Sequence, residues 1–271
     1  MRRGFGRSEG RFAETLSGPC NDQDYLAVGR IAAEDVIGAL ATLRGESWVE
    51  PDQVLLVGHS TGGFAVTAAA ADNPPGVVAV LSFEGAHGSV PGRTCSPDRL
   101  VANAGIFGRS ARIPALWLYS ENDRSAPVAL GRRMFDAYVA AGAPAQLQVL
   151  PPFGVDGHAM VPMGPADLWW PAVESFLNQQ RLPSSLVVEL PPPAAIPVPT
   201  PLNAACTSYF DAYVKARTDV KAYAWNREGH CSSVTSTQRT VDEAKNEAMR
   251  QCVAAWKDCS LYAVGQALAP G

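Results

Sequence analysis

The stretch VLLVGHSTGG, residues 54–63, sets four apolar residues directly against a glycine-flanked serine. An apolar run this short and continuous suits a strand covered on both faces. The residues that follow, 62–71, read as a helix. Gly58-His59-Ser60-Thr61-Gly62 therefore falls at a strand-to-helix junction and matches G-x-S-x-G in the context that motif requires. A turn that sharp forces the serine into a strained backbone conformation and demands neighbours without bulk. It lifts the hydroxyl above the sheet and aims a helix N-terminus at it, where backbone donors can receive negative charge. A phosphate loop is excluded, because Phe64 and Ala65 stand where that motif needs a lysine and a hydroxyl. An inert glycine-rich turn is the plainer alternative.

Apolar runs recur at Val54–Val57, Val77–Phe83, Ala115–Tyr119 and Gln146–Leu150, and residues 62–71, 127–141 and 167–180 read as helices. A further amphipathic helix fits residues 24–44, with Val28, Ile31, Val36, Leu40 and Leu43 at helical spacing. Alternation of this kind predicts an α/β fold with a doubly wound, mostly parallel sheet. The proline-rich stretch LPPPAAIPVPTP, residues 190–201, cannot form a helix interior or a central strand and predicts an extended linker.

Beyond it, TSYFDAYVKAR reads as a helix, KAYAWN and CSSVTST as strands, residues 240–256 as a helix with Thr240 and Glu243 in capping-box positions, and CSLYAVGQAL as a closing strand. The expected organisation is a large domain at 1–182, a linker at 183–203 and a small α+β module at 204–271.

A net charge of −4 without a basic stripe argues against nucleic acid. No apolar run approaches the length of about 18 residues that a membrane span needs. The N-terminal MRRGFGRSEG has arginines but no apolar stretch behind them, so it does not read as a secretory leader. The six cysteines Cys20, Cys95, Cys206, Cys231, Cys252 and Cys259 show no zinc-type spacing. They read either as buried thiols of a reducing compartment or as three disulfides of an oxidising one. Cys20–Cys95, Cys206–Cys231 and Cys252–Cys259 are one set among fifteen connectivities.

A serine hydroxyl needs a base, and the base needs an acid to orient it. Of the four histidines, His59 lies inside the turn, His87 in a glycine-rich loop and His230 in the small module. His158, in FGVDGHAM, comes after the last strand of the large domain, where the base belongs in the order Ser, Asp, His. Asp123, in ALWLYSENDRSAP, lies just beyond a buried strand and is the expected acid, although a turn carboxylate is its plain alternative. Glu84 is the fallback, Glu121 comes early in the turn, and Asp156 is too near His158 in sequence to orient it.

Ser60 in GHSTG, Asp123 in YSENDRSAP and His158 in PPFGVDGHAM together resemble the α/β-hydrolase superfamily, and most of all its dienelactone-hydrolase-related branch. The resemblance covers roughly residues 1–180. It implies a serine hydrolase acting on a carboxylic ester or related acyl bond, with a small-molecule substrate and neither metal nor organic cofactor. The Thr61 N–H would serve the oxyanion. Members of that branch proper use a cysteine nucleophile, so Ser60 shifts the expectation from lactones toward ordinary esters. A peptidase of the same fold and a non-catalytic envelope binding protein are the alternatives.

In such proteins a segment like residues 2–10 resembles the loop after the fourth strand. The preceding strands, and the loop that supplies a second oxyanion donor, are then expected upstream of Met1 together with a leader peptide, giving a periplasmic or secreted protein. If Met1 is the true start, the expectation is a cytoplasmic chain lacking that donor, whose loss costs about a hundred- to a thousand-fold in rate. The tail resembles a small cysteine-containing domain of exported bacterial proteins, with a stabilising or adhesive role.

Overall fold

The computed structural model describes residues 3–4, 8–12, 17–185, 195–235 and 238–269. In chain order the elements begin with α1 (Tyr25–Leu43), β1 (Val54–His59), α2 (Thr61–Ala70), β2 (Val77–Phe83), β3 (Ser89–Val90) and β4 (Arg93–Thr94). Next come α3 (Pro97–Gly108), β5 (Ala115–Ser120), α4 (Val128–Ala140), β6 (Ala145–Leu150), α5 (Met160–Met163) and α6 (Trp170–Gln179). The C-terminal part holds α7 (Ala204–Lys215), β7 (Ala222–Trp225), β8 (Cys231–Val234), α8 (Val241–Ala255), β9 (Ser260–Val264) and β10 (Ala267–Leu268). These form two compact units, Met1–Pro151 with Ala172–Pro183, and Pro152–Pro171 with Ser184–Gly271. Segment 152–171, expected with the large domain, groups with the second unit.

The first unit is an α/β fold on a four-stranded sheet of order β1-β2-β5-β6, parallel throughout. Every residue of β5 is buried and β2 is nearly so, as their continuous apolar runs predict. β1 and β6 lie at the sheet's two sides and are covered less completely: Val57 of β1 is 56% exposed, and β6 alternates between exposed glutamines and covered apolar residues.

Asp24 caps α1 by accepting from the Ala27 N–H at 3.0 Å, and the helix buries Tyr25, Val28, Ala32, Ala33 and Leu40 in the core. Its Tyr25 hydroxyl donates to the Cys95 carbonyl. The Cys20–Cys95 disulfide ties the approach to α1 to the loop before α3.

α3 is absent from the sequence expectation. Gly105, Gly108 and Asn103 weaken its helical pattern, yet Pro97 and Asp98 start it well. Gly108 is needed for packing, since a Cβ there would come within 2.3 Å of the Tyr138 carbonyl on α4. The helix expected at 167–180 begins as a 3-10 turn at Ala166–Leu168 and becomes α-helical only from Trp170.

In the second unit the sheet runs β10-β9-β7-β8 and is antiparallel. The period of two along β7 divides its core. Tyr223 joins Phe210 and Tyr213 of α7, whereas Ala222 and Ala224 join Ala244, Ala248 and Cys252 of α8. The Cys206–Cys231 and Cys252–Cys259 disulfides secure the first and second of these clusters. Thr240 and Glu243 form the expected capping box. The expected closing strand is instead a tight hairpin, because Gly265, at φ 57°, turns the chain between β9 and β10.

Lys221 is fully buried, donates to the carbonyls of Tyr213 and Ala216 at 2.8 and 2.7 Å, and so closes the C-terminal end of α7. Of the proline-rich stretch, residues 190–194 lie outside the described residues, and residues 195–199 carry no regular secondary structure.

Candidate active site

Ser60 sits between β1 and α2 with φ 55° and ψ −122°, a conformation that L-residues rarely adopt. Its backbone is fixed on three sides. The Ser60 N–H donates to the Phe83 carbonyl at 2.8 Å, and the Ser60 carbonyl accepts from Phe64 at 3.0 Å and from Ala86 at 3.3 Å. Thr61 opens α2, so its amide belongs to the unsatisfied first turn of that helix.

The glycine requirement is narrower than the motif suggests. A Cβ on Gly58 would stand 2.2 Å from the Gly62 carbonyl oxygen, whereas one on Gly62 would meet nothing within 4 Å. The second constrained position is Gly63, whose added Cβ would lie 2.8 Å from both the Gly85 Cα and the Ser82 hydroxyl. The turn thus depends on Gly58 before the serine and on a close pass of Gly63 against Gly85 behind it.

Glu84 ends β2 next to this turn. It is fully buried, has φ 54°, and its Oε2 is hydrogen-bonded to His59 Nε2 at 2.9 Å. Local sequence patterns do not reveal this pair, because the two residues are 25 positions apart and only the parallel pairing of β1 with β2 juxtaposes them. Two non-glycine residues in the left-handed region thus end two neighbouring strands, a concentration of strain typical of functional sites.

Asp123 lies just past β5 and is buried. Its Oδ1 accepts from the amides of Ser125 at 2.8 Å and Ala126 at 2.6 Å, so this oxygen stabilises its own turn. Nearby, the Tyr119 hydroxyl donates to the Gly85 carbonyl at 2.8 Å. Burial, reinforced by the carboxylates of Asp123 and Glu84, pushes that phenol far above its ordinary range.

His87 packs its ring against Tyr25 and Phe64, at 5.8 and 5.4 Å between centroids. It is a core residue of the first unit.

His158 belongs to the second unit, within a 3-10 turn at Gly157–Ala159. Asp156 is engaged in capping that turn, its Oδ1 accepting from the His158 N–H at 3.1 Å. His230, also in this unit, stacks flat on Trp256 at 5.0 Å.

A profile of the alpha/beta hydrolase family matches residues 2–243. The chain belongs to that family. No curated protein matches it.

Among solved structures, this hydrolase-family chain is similar to a puromycin-hydrolyzing peptidase of Mycobacterium tuberculosis, at 16% identity and a TM-score of 0.42, over 57% of this chain and 26% of that one. It is similar to an esterase of Pyrococcus furiosus at 12% identity and a TM-score of 0.42, covering 65% and 66% of the two chains. A protein of Klebsiella pneumoniae assigned as a dienelactone hydrolase shows 23% identity and a TM-score of 0.34, over 45% of this chain and 50% of its own. The chain thus spans only part of each of these proteins. Among its described residues no helix is long and apolar enough to cross a membrane.

Proposed function

We propose that this alpha/beta hydrolase cleaves carboxylic esters or related acyl bonds through an acyl-enzyme on Ser60. The observation that carries the reading is the backbone of Ser60, held at φ 55° and ψ −122° at the head of α2 by hydrogen bonds to β2 and the loop after it. Such strain is maintained at a cost of order 1–3 kcal/mol, and an inert turn gives no return for it.

In this reading Ser60 Oγ attacks the acyl carbon while its proton passes to His158, and Asp123 orients the imidazole through its carboxylate. The Thr61 N–H supports the tetrahedral oxyanion. Collapse breaks the bond to the leaving alcohol, which takes the proton from the imidazolium. Water, activated by the same histidine, then releases the acid and restores Ser60. The machinery is assigned to a hydrolase domain at 1–182, in the dienelactone-hydrolase-related branch, with residues 204–271 as a fused module. Three disulfides suit work in an oxidising compartment, outside the cytosol.

The test is labelling with a fluorophosphonate, alongside hydrolysis of para-nitrophenyl acetate. Labelling of the full chain that disappears in Ser60→Ala, with ester turnover reduced by about a thousand-fold or more in Ser60→Ala and His158→Ala, is expected. A chain that stays unlabelled and behaves like its Ser60→Ala variant would instead be a binding protein.

A further inference from the structure

The second unit holds a cleft of about 500 Å³ on the side of its sheet where β7 ends. Trp225 and Ser260, paired across β7 and β9, contribute to it from the sheet. One wall is the tip of the β7–β8 hairpin, with Arg227 and Glu228; the other is the loop after α8, with Lys257 and Asp258. Each wall therefore offers a cation and an anion at consecutive positions. None of these four side chains forms an ion pair with another described residue, whereas pairs such as Arg3–Asp35 and Arg250–Glu247 occur elsewhere among the described residues.

Both walls are rigid. The Asn226 side chain, itself buried, accepts from the amides of Glu228 and His230 at 3.1 and 3.0 Å and donates to the Lys257 carbonyl at 3.2 Å, tying hairpin tip to loop. The Cys252–Cys259 disulfide closes that loop from the other end, and Trp225 is held edge-on by Tyr262 at 5.6 Å. A cleft whose walls are fixed beforehand loses little conformational freedom on binding.

From this arrangement we infer that the cleft binds a small zwitterion of the α-amino-acid type, its carboxylate facing Arg227 and Lys257, its ammonium facing Glu228 and Asp258, and its side chain resting on Trp225. Charge complementarity selects this class. An anion drawn by the two cations meets two carboxylates, a cation drawn by the carboxylates meets Arg227 and Lys257, and a ligand carrying both signs satisfies both sets. The volume accommodates one amino acid or a dipeptide, at the lower end of small-molecule sites. The inference stands apart from the Ser60 chemistry.

Calorimetric titration of the full chain with leucine tests it, with leucinamide and N-acetylleucine as probes that keep one charge each. Saturable binding of leucine is expected, at least ten-fold weaker for either single-charge probe and for the double variant Arg227→Ala/Lys257→Ala. Those two side chains are exposed, so the variant keeps the fold, which circular dichroism checks. Glu228→Gln/Asp258→Asn is expected to weaken leucine to a similar degree while sparing N-acetylleucine. No heat at millimolar leucine, equal binding of the three probes, or unaltered binding in both double variants would overturn the assignment.

Discussion

His59 Nε2 lies 2.9 Å from Glu84 Oε2, so the residue before the strained serine is bound to the strained residue that ends the next strand. The bond joins the ends of two parallel strands at the level where the chain must turn. It also gives Glu84 a role beside His59, whatever part its carboxylate plays toward other groups.

Breaking this pair should cost more from one side than the other. The Glu84 side chain is 1% exposed and that of His59 28%, so His59→Ala strips an imidazole from a buried carboxylate. A loss of about 2 kcal/mol is expected. Glu84→Gln, which keeps an amide oxygen of similar shape able to accept from the imidazole, should cost about half as much. Urea unfolding of the two variants measures the difference, and equal losses would contradict the asymmetry.

The glycines of the elbow should separate sharply. Gly58→Ala drives a methyl into the Gly62 carbonyl and is expected to destabilise by about 1–3 kcal/mol. Gly62→Ala meets open space in the first turn of a helix and should be neutral or stabilising by up to about 1 kcal/mol. Gly63→Ala should behave like Gly58→Ala. Thermal unfolding of the three variants checks the order.

Asp123 offers a way to separate structure from chemistry. Asparagine retains an oxygen able to accept from Ser125 and Ala126, so Asp123→Asn should preserve the turn. It cannot hold an imidazolium by charge, and ester turnover should fall by about 10³–10⁴. Asp123→Ala should lose stability as well as turnover. A fully active Asp123→Asn variant would remove Asp123 from the proposed triad.

The disulfides should contribute unequally. Cys20–Cys95 spans 75 positions and Cys252–Cys259 only 7, which on chain entropy corresponds to about 4 and about 2 kcal/mol. Paired Cys→Ala variants at each bridge, compared by thermal unfolding, should show that order.

Stability of the second unit should pass through an alkaline maximum. Burial pushes the Lys221 ammonium down to about 8 from an ordinary 10.5, against the pull of Asp219. Between those values the unfolded chain holds a proton that the folded one has released, so stability rises with pH. Burial raises the phenols of Tyr213 and Tyr223, so above about pH 10 only the unfolded chain loses these protons, and stability falls. Urea midpoints across this range should show both limbs, and Lys221→Met should abolish the rising one.

Much of the fold is legible from residue order. The buried strands announce themselves as continuous apolar runs, and the elbow as glycines around a serine, because both are local demands on a few consecutive residues. The capping box is equally local. What escapes depends on distant pieces of chain: α3, whose Gly108 makes sense only against Tyr138; the His59–Glu84 pair, created by strand pairing; and the true steric role of Gly63, set by Gly85. The β9–β10 hairpin escapes for a different reason, since one glycine within an otherwise strand-like run does not say whether it bends the chain or merely interrupts the pattern.

Among the described residues β1 has a neighbouring strand on one side only, and Val57 stands more than half uncovered along it. A strand with a free side of this kind can pair there with a further extended segment, whether of its own chain or of a second copy. Val57→Lys, which sets a charge along that side, should lower edge-to-edge association at high concentration without disturbing Ser60.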